Sequence, residues 1–213
     1  MKQIALKKPT FLRRLSDTLT FSPKIYDRIQ YLAGFPAIIP LLNPYLSEIA
    51  GRSLLDVGAG TGLYMPLFPP TTRYIWSDID PKKLEGFRSR ELTRSSENTY
   101  GIMSDSTMIA LGDKTVDFAL CAALSHHLAD EVLALLFKEL ARVVRKKLIF
   151  IDAVKSPKLL SKMLWAIDRG AFPRKEASLR SAIERYFDIE SLKPYKVYHQ
   201  YIMCVGTPKA KTN

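Results

Sequence analysis

Apolar residues at the start of the chain recur at helical spacing. Phe11-Leu12, Leu15, Leu19 and Phe21 fall on one face, Ser22-Pro23 marks a break, and Ile25, Ile29 and Leu32 resume the three-to-four period. Pro36 opens a further helix that runs through Leu41 and Leu46 to Ile49 and ends at Gly51. From there the pattern changes to strands alternating with helices. Ser53 to Val57, Arg73 to Ser77, Thr99 to Ser104, Val116 to Ala122 and Leu148 to Val154 are short apolar or β-rich runs that read as strands. Leu63 to Phe68, Pro81 to Glu91 and Asp130 to Val144 read as the intervening helices, the last with Val132, Leu133, Leu136, Phe137, Leu140 and Val143 on one stripe. Leu159 to Ile167 and Lys175 to Tyr186 are also helical. Phe187 to Tyr195 and Val197 to Val205 form a terminal hairpin. Alternating units of this kind predict an α/β fold: a doubly wound, mostly parallel seven-stranded sheet with helices on both faces and an antiparallel C-terminal hairpin.

Composition narrows the function classes without choosing among them. The 213 residues are 47% hydrophobic and 25% charged, ordinary values for a globular protein. The longest apolar run, Leu32 to Leu42, is broken by Gly34, Pro36 and Pro40 and is too short to cross a bilayer. No apolar stretch with a small-residue cleavage site follows the basic N-terminus, so a cytoplasmic location is expected. Cys121 and Cys204 both lie in strand-like runs and read as buried free thiols. With three histidines at unsuitable spacings they do not make a metal site. The net charge of +11 is unevenly spread. Residues 1–30 carry seven Lys/Arg against two Asp/Glu, residues 31–154 thirteen against fourteen, and residues 155–213 twelve against five. The centre is neutral and the two flanks hold the excess, which suits either a solvated surface or an anionic ligand.

The most specific segment is Leu54-Leu55-Asp56-Val57-Gly58-Ala59-Gly60-Thr61-Gly62-Leu63. A strand ends, three glycines follow at alternate positions, and a helix is expected next, its first amides facing a ligand. The dinucleotide-binding fingerprint would place its third glycine at position 63, where leucine stands, and the Gly-Lys-Ser/Thr of a P-loop is absent. Asp56 would repel a phosphate. A ligand with a positive centre and no phosphate fits better.

These residues resemble the first motif of class I S-adenosylmethionine-dependent methyltransferases of the small-molecule type, and three more motifs follow in order. The second strand leads into Ser77-Asp78-Ile79-Asp80-Pro81, where Asp78 matches the acid that grips both ribose hydroxyls. Asp80 departs from the serine often found there and is read as a helix cap. Ser104-Asp105-Ser106 resembles the site that accepts the adenine amino group. The fourth strand runs into Ala122-Ala123-Leu124-Ser125-His126-His127-Leu128, which resembles the segment beside the transferred methyl. The resemblance covers roughly residues 50–155 and implies a Rossmann-like fold, S-adenosylmethionine as cofactor, and Asp56, Gly58, Ala59, Gly60, Thr61, Gly62, Asp78, Ile79, Asp105, Ser106 and Ala122 as its binding residues. It also implies that residues 1–50 form a helical lid over a cofactor domain spanning 51–213, with 155–185 a helical insert over the acceptor site.

The implied reaction is in-line methyl transfer to a nucleophile, for which the protein supplies alignment. A base matters only for an acceptor that must lose a proton. His126 and His127 are the candidates. Tyr26, Tyr31, Trp165 and Arg169 are expected to meet the acceptor, with Arg174 a further candidate anion clamp, so a small acceptor that is anionic or partly apolar is expected. Methylation of RNA is the alternative that the basic flanks support, although Ser125-His126-His127-Leu128 stands where many base-methylating enzymes carry an Asn-Pro-Pro-Tyr-type tetrapeptide. A lipid acceptor reached by peripheral contact with an anionic membrane is another, resting on Leu12, Leu15 and Leu19 beside Lys7, Lys8, Arg13 and Arg14. A cofactor-binding protein without turnover is a third.

Overall fold

The computed structural model describes residues 27–28, 31, 34–83, 86–88, 98–167, 172–197 and 200–210. Its seven strands are β1 (Ser53–Val57), β2 (Arg73–Asp78), β3 (Thr99–Met103), β4 (Val116–Ala122), β5 (Val144–Val154), β6 (Phe187–Lys196) and β7 (Gln200–Pro208). They form one sheet in the order β3-β2-β1-β4-β5-β7-β6. Strands β1 to β5 pair in parallel, and β7 runs antiparallel between β5 and β6. The expected sheet is therefore present, with one refinement: the last strand lies inside the sheet and β6 takes the edge. Pro194 sits in β6, where an edge strand tolerates a residue without an amide hydrogen.

Helices α1 (Ile39–Ile49), α2 (Asp130–Val143), α3 (Leu159–Ile167) and α4 (Glu176–Glu184) flank the sheet. The central strands are apolar on both faces because both faces are covered. On one face Leu55, Val57, Ala119, Cys121, Leu148 and Phe150 meet Leu133, Leu136, Phe137 and Leu140 of α2 and Leu179 and Ile183 of α4. On the other, Leu54, Tyr74, Trp76, Phe118, Leu120 and Ile149 meet Leu42 and Ile49 of α1. No described helix is long and apolar enough to cross a membrane.

Two sequence expectations need correction. Leu63 to Phe68 is not an α-helix but a run of turns leading to a 3-10 helix at Met65–Leu67. Gly62 has φ +72, which no right-handed helix accommodates, and Pro66 removes an amide donor one turn later. The fifth strand starts at Val144 rather than Leu148, because Val116 pairs with Val144 across a bulge and draws Arg145, Lys146 and Lys147 into the ladder. Lys147 then reaches Glu48 at 3.0 Å and Glu190 at 3.3 Å. The helical pattern over residues 11–25, together with Tyr26 and Arg169, lies outside the described residues. Of the expected helix Pro81 to Glu91, residues 83 and 86–88 are described as helical.

Candidate active site

The glycine loop leaves β1 at the carboxyl end of the sheet, where parallel strands present their ligands. Gly58, Gly60 and Gly62 have φ of +66, +55 and +72. The three residues take the left-handed conformation in which a Cβ would strain the backbone. At Gly58 a Cβ would also lie 2.8 Å from Leu124 Cδ2. At Gly60 it would meet nothing within 4 Å, so this glycine borders open space. The loop is tied down from β2. The Asp78 carboxylate accepts the Gly60 amide at 2.8 Å and the Asp80 amide at 2.9 Å. The Trp76 indole donates to the Gly60 carbonyl at 2.8 Å. The Ala59 amide donates to the Ser77 carbonyl at 3.1 Å, and Thr61 donates from its hydroxyl to Asp27 at 2.5 Å.

Asp56 lies beneath the loop, buried, and accepts a hydrogen bond from the Tyr74 hydroxyl. Burial pushes its carboxyl up to about 7, the Tyr74 bond opposes this, and the negative charge of Asp78 adds to it. A protonated Asp56 and the charged Asp78 thus bracket the glycines. The Asp78 carboxylate favours a cation at the loop and disfavours a phosphate.

The second half of the site follows β4. Ala123 has φ +53, a strained value for a residue with a Cβ, and its amide is held by the Ile151 carbonyl at 2.9 Å. The strain turns the chain so that Ser125 and His126 point back at the sheet. The His126 Nδ1 lies 2.6 Å from Asp152 Oδ1 near the end of β5. Asp152 Oδ2 accepts the Ser125 amide at 2.8 Å and the Ser125 hydroxyl at 2.5 Å. Both His126 and Asp152 are buried. Burial alone would raise the Asp152 carboxyl, but the His126 charge and the bonds from His126, Ser125 and Ala153 outweigh it and hold it below its ordinary value. The Trp165 ring of α3 meets the His126 ring edge-on at 5.6 Å, and the His127 ring lies 4.2 Å from it. His127 itself is exposed.

Arg174 is not placed as an anion clamp. Its guanidinium donates to the carbonyls of Ser125 at 2.7 Å, Leu128 at 2.5 Å and Phe172 at 3.2 Å, and to Asp130 at 2.7 Å. It fixes the histidine segment from behind. Of the other expected site residues, Ile79 and Tyr31 are exposed, at 65% and 59%. Asp105 is exposed, with one carboxylate oxygen bonded to Thr107, Ser106 is half-buried, and Ala122 is buried at the end of β4. Sequence reasoning passed over Asp152, Tyr74, Trp76 and Asp27. Asp152 carried a signal, a lone acid closing the apolar run Leu148 to Ile151.

Residues 55–151 match the family model of the methyltransferase domain. This stretch carries a methyltransferase domain. Among solved structures, one from Pyrococcus horikoshii OT3 is similar with a TM-score of 0.71 at 20% identity, covering 84% of this chain and 91% of that one. A SAM-dependent methyltransferase from Aquifex aeolicus is similar with a TM-score of 0.64 at 22% identity, covering 86% and 98%. The magnesium protoporphyrin IX methyltransferase of Synechocystis PCC 6803, solved with SAH bound, gives 0.66 at 17% identity, covering 96% and 90%. At these identities the likeness concerns the fold. No curated protein matches the sequence.

Proposed function

We propose that this methyltransferase acts on a small, anionic or partly apolar acceptor bearing a proton that must be removed, a hydroxyl or an ammonium, and that His126 is the base. The observation that carries the reading is the buried His126–Asp152 pair at the carboxyl ends of β4 and β5. When bound, S-adenosylmethionine supplies a methyl group already activated for transfer. The rest falls to the protein. Gly60, bordering open space, and the Asp78 carboxylate beside it fit a cationic, phosphate-free ligand, and Asp78 is the ribose-binding candidate. Asp105, Ser106 and exposed Ile79 are the candidates for the adenine end.

In the neutral imidazole, a proton on Nδ1 donated to Asp152 makes Nε2 the basic nitrogen. A hydroxyl would pass its proton to His126 Nε2 as its oxygen bonds to the methyl carbon and the carbon–sulfur bond breaks with its electron pair left on sulfur; an ammonium would pass its proton beforehand, and in either case Asp152 stabilises the imidazolium that results. Trp165 offers an aromatic wall on the same side, and Tyr31, Tyr26 and Arg169 remain acceptor-binding candidates. His127, exposed beside His126, is the alternative base. Buried free Cys121 and Cys204 support a reducing compartment, hence the cytoplasm.

The test has two stages. Calorimetric titration should give micromolar binding of S-adenosylmethionine, none of NAD, and loss in Asp78→Ala. An acceptor screen, followed by release of the demethylated product, should then find His126→Gln slower by about 100-fold or more in kcat at unchanged cofactor affinity. His126→Gln turning over at the parent rate would remove the base from the reading. A folded sample that ignores S-adenosylmethionine would remove the reading altogether.

A further inference from the structure

The amino ends of the strands, the pole of the sheet opposite the glycine loop, hold a cavity of about 310 Å³. Its size exceeds the ~10–15 Å³ that one water requires many times over. The lining is polar and comes from strand starts: Arg52 just before β1, Arg73 opening β2, and Arg145 at the second position of β5. One carboxylate faces these three guanidinium groups, Asp117 at the second position of β4.

The hydrogen bonds show which groups are already committed. Asp117 Oδ2 accepts the Ser53 amide at 3.1 Å and the Ser53 hydroxyl at 2.9 Å, while its Oδ1 takes Arg145 at 3.3 Å. Partial burial would raise this carboxyl, but the Ser53 bonds and the charges of Arg145 and Arg52 hold it below its ordinary value. It is therefore ionised and cancels one arginine. Among the described residues, Arg52 and Arg73 have no ion-pair partner. The hydroxyl of Thr71 accepts the Gly51 amide and keeps its own hydrogen to donate. The Asn98 carbonyl is taken by the Tyr74 amide, and Asn98 lines the same cavity. The cavity is thus rich in donors, poor in acceptors, and doubly positive after the floor carboxylate is counted.

We infer that this cavity binds a phosphomonoester, its dianionic phosphate held by Arg52, Arg73 and Arg145 and its organic part filling the remaining space. A phosphate offers acceptor oxygens only, and guanidinium groups meet it two bonds at a time. Two charges match the two arginines left without a carboxylate. The glycine loop does not suit the same ligand, because the Asp78 carboxylate stands there. The site lies apart from the one where the methyl is transferred, so it is a binding site of its own rather than part of the acceptor pocket.

Titration calorimetry on the full chain at low salt, with inorganic phosphate, with glycerol 2-phosphate and with a single-stranded RNA oligomer as three separate probes, decides the matter. The expected result is saturable one-to-one binding of glycerol 2-phosphate, with phosphate competing. Arg73→Ala and Arg52→Ala should each weaken it about tenfold or more. Neither arginine is ion-paired, so both variants should fold. A control, Lys193→Ala on the edge strand β6, should bind like the parent, and binding of the demethylated cofactor should stay within twofold in all of them. Absence of saturable monoester binding overturns the inference. So does equal binding by Arg73→Ala and Lys193→Ala, which would mean unspecific attraction to a basic surface. RNA binding that phosphate fails to displace and that is lost in Arg73→Ala also overturns it, assigning the arginines to a phosphodiester track.

Discussion

Asp56 is a carboxyl that the fold keeps protonated well above its ordinary range, and this makes the stability of the protein depend on pH with an unusual sign. The residue is 1% exposed and its carboxyl is pushed from 3.8 to about 7, chiefly by burial. In the unfolded chain it ionises near pH 4, whereas in the folded chain it keeps its proton to about pH 7. The folded state therefore binds more protons in that window, and stability falls as pH rises through it. Each pH unit of the window is worth about 1.4 kcal/mol, so Asp56 withdraws about 3 kcal/mol between pH 5 and 8. Asp56→Asn removes the titration. The amide oxygen still accepts the Tyr74 hydroxyl, while the NH2 group needs a partner of its own at a cost of about 1–2 kcal/mol. The variant should thus be slightly less stable than the parent at pH 5 and more stable at pH 8. Urea unfolding without cofactor, followed by the fluorescence of Trp76 and Trp165, gives both curves. A stability difference that stays constant within about 0.5 kcal/mol from pH 5 to 8 would refute the reasoning and place Asp56 in a polar setting. Below about pH 7 the parent carboxyl is neutral as well, so the same substitution should weaken S-adenosylmethionine only as pH rises above that value.

Other substitutions test other parts of the site. Gly58→Ala forces a Cβ onto a backbone at φ +66 and against the flexible end of Leu124, so it should cost about 1–2 kcal/mol in thermal unfolding and lower cofactor affinity. Arg174→Ala should cost about 2–3 kcal/mol by stripping the carbonyls of Ser125 and Leu128 of their donor, and Arg174→Lys should not restore it because an ammonium cannot span them both. Asp152 has the ordinary sign: its folded carboxyl lies below its unfolded value, so its contribution is present above about pH 4 and is lost on acidification, and Asp152→Asn should abolish that acid dependence in urea titrations. Phe137→Ala, in the fully buried row where α2 meets the sheet, should lose about 3–5 kcal/mol without altering cofactor affinity per folded molecule.

The parts of this structure that were legible in the sequence are those set by local pattern. Strands β1 and β4 run as the apolar stretches do, because a strand covered on both faces is apolar along most of its length. The glycine loop was legible because its three alternate glycines serve a left-handed backbone conformation that other residues rarely adopt. What escaped depends on where distant residues meet. His126 was visible as a candidate, but its bond to Asp152 requires knowing that Ala122 pairs with Ile151 across β4 and β5. Arg174 resembles an anion ligand in any linear reading. Its commitment to the backbone follows from carbonyls that turn toward it only after the strained residue Ala123. The helix expected after the loop failed for a local reason: Gly62 at φ +72 satisfies the loop at the expense of helix entry.

The two poles of the sheet are electrostatically opposed, and the net charge of the chain hides this. At the carboxyl ends of β1 and β2 the Asp78 carboxylate holds the glycine loop, so a cation is favoured and a phosphate is repelled. At the amino ends of the same strands, Arg52 and Arg73 face a cavity in which the one carboxylate is already paired. A ligand carrying a sulfonium and a ligand carrying a phosphate would therefore sort themselves to opposite ends of one sheet by charge alone, before any shape is read. The sorting also bears on RNA as an acceptor. A phosphate backbone drawn to Arg52, Arg73 and Arg145 would sit at the pole away from the glycine loop. The proposed acceptor, compact and without a trail of phosphates, is consistent with the Asp78 carboxylate at the loop.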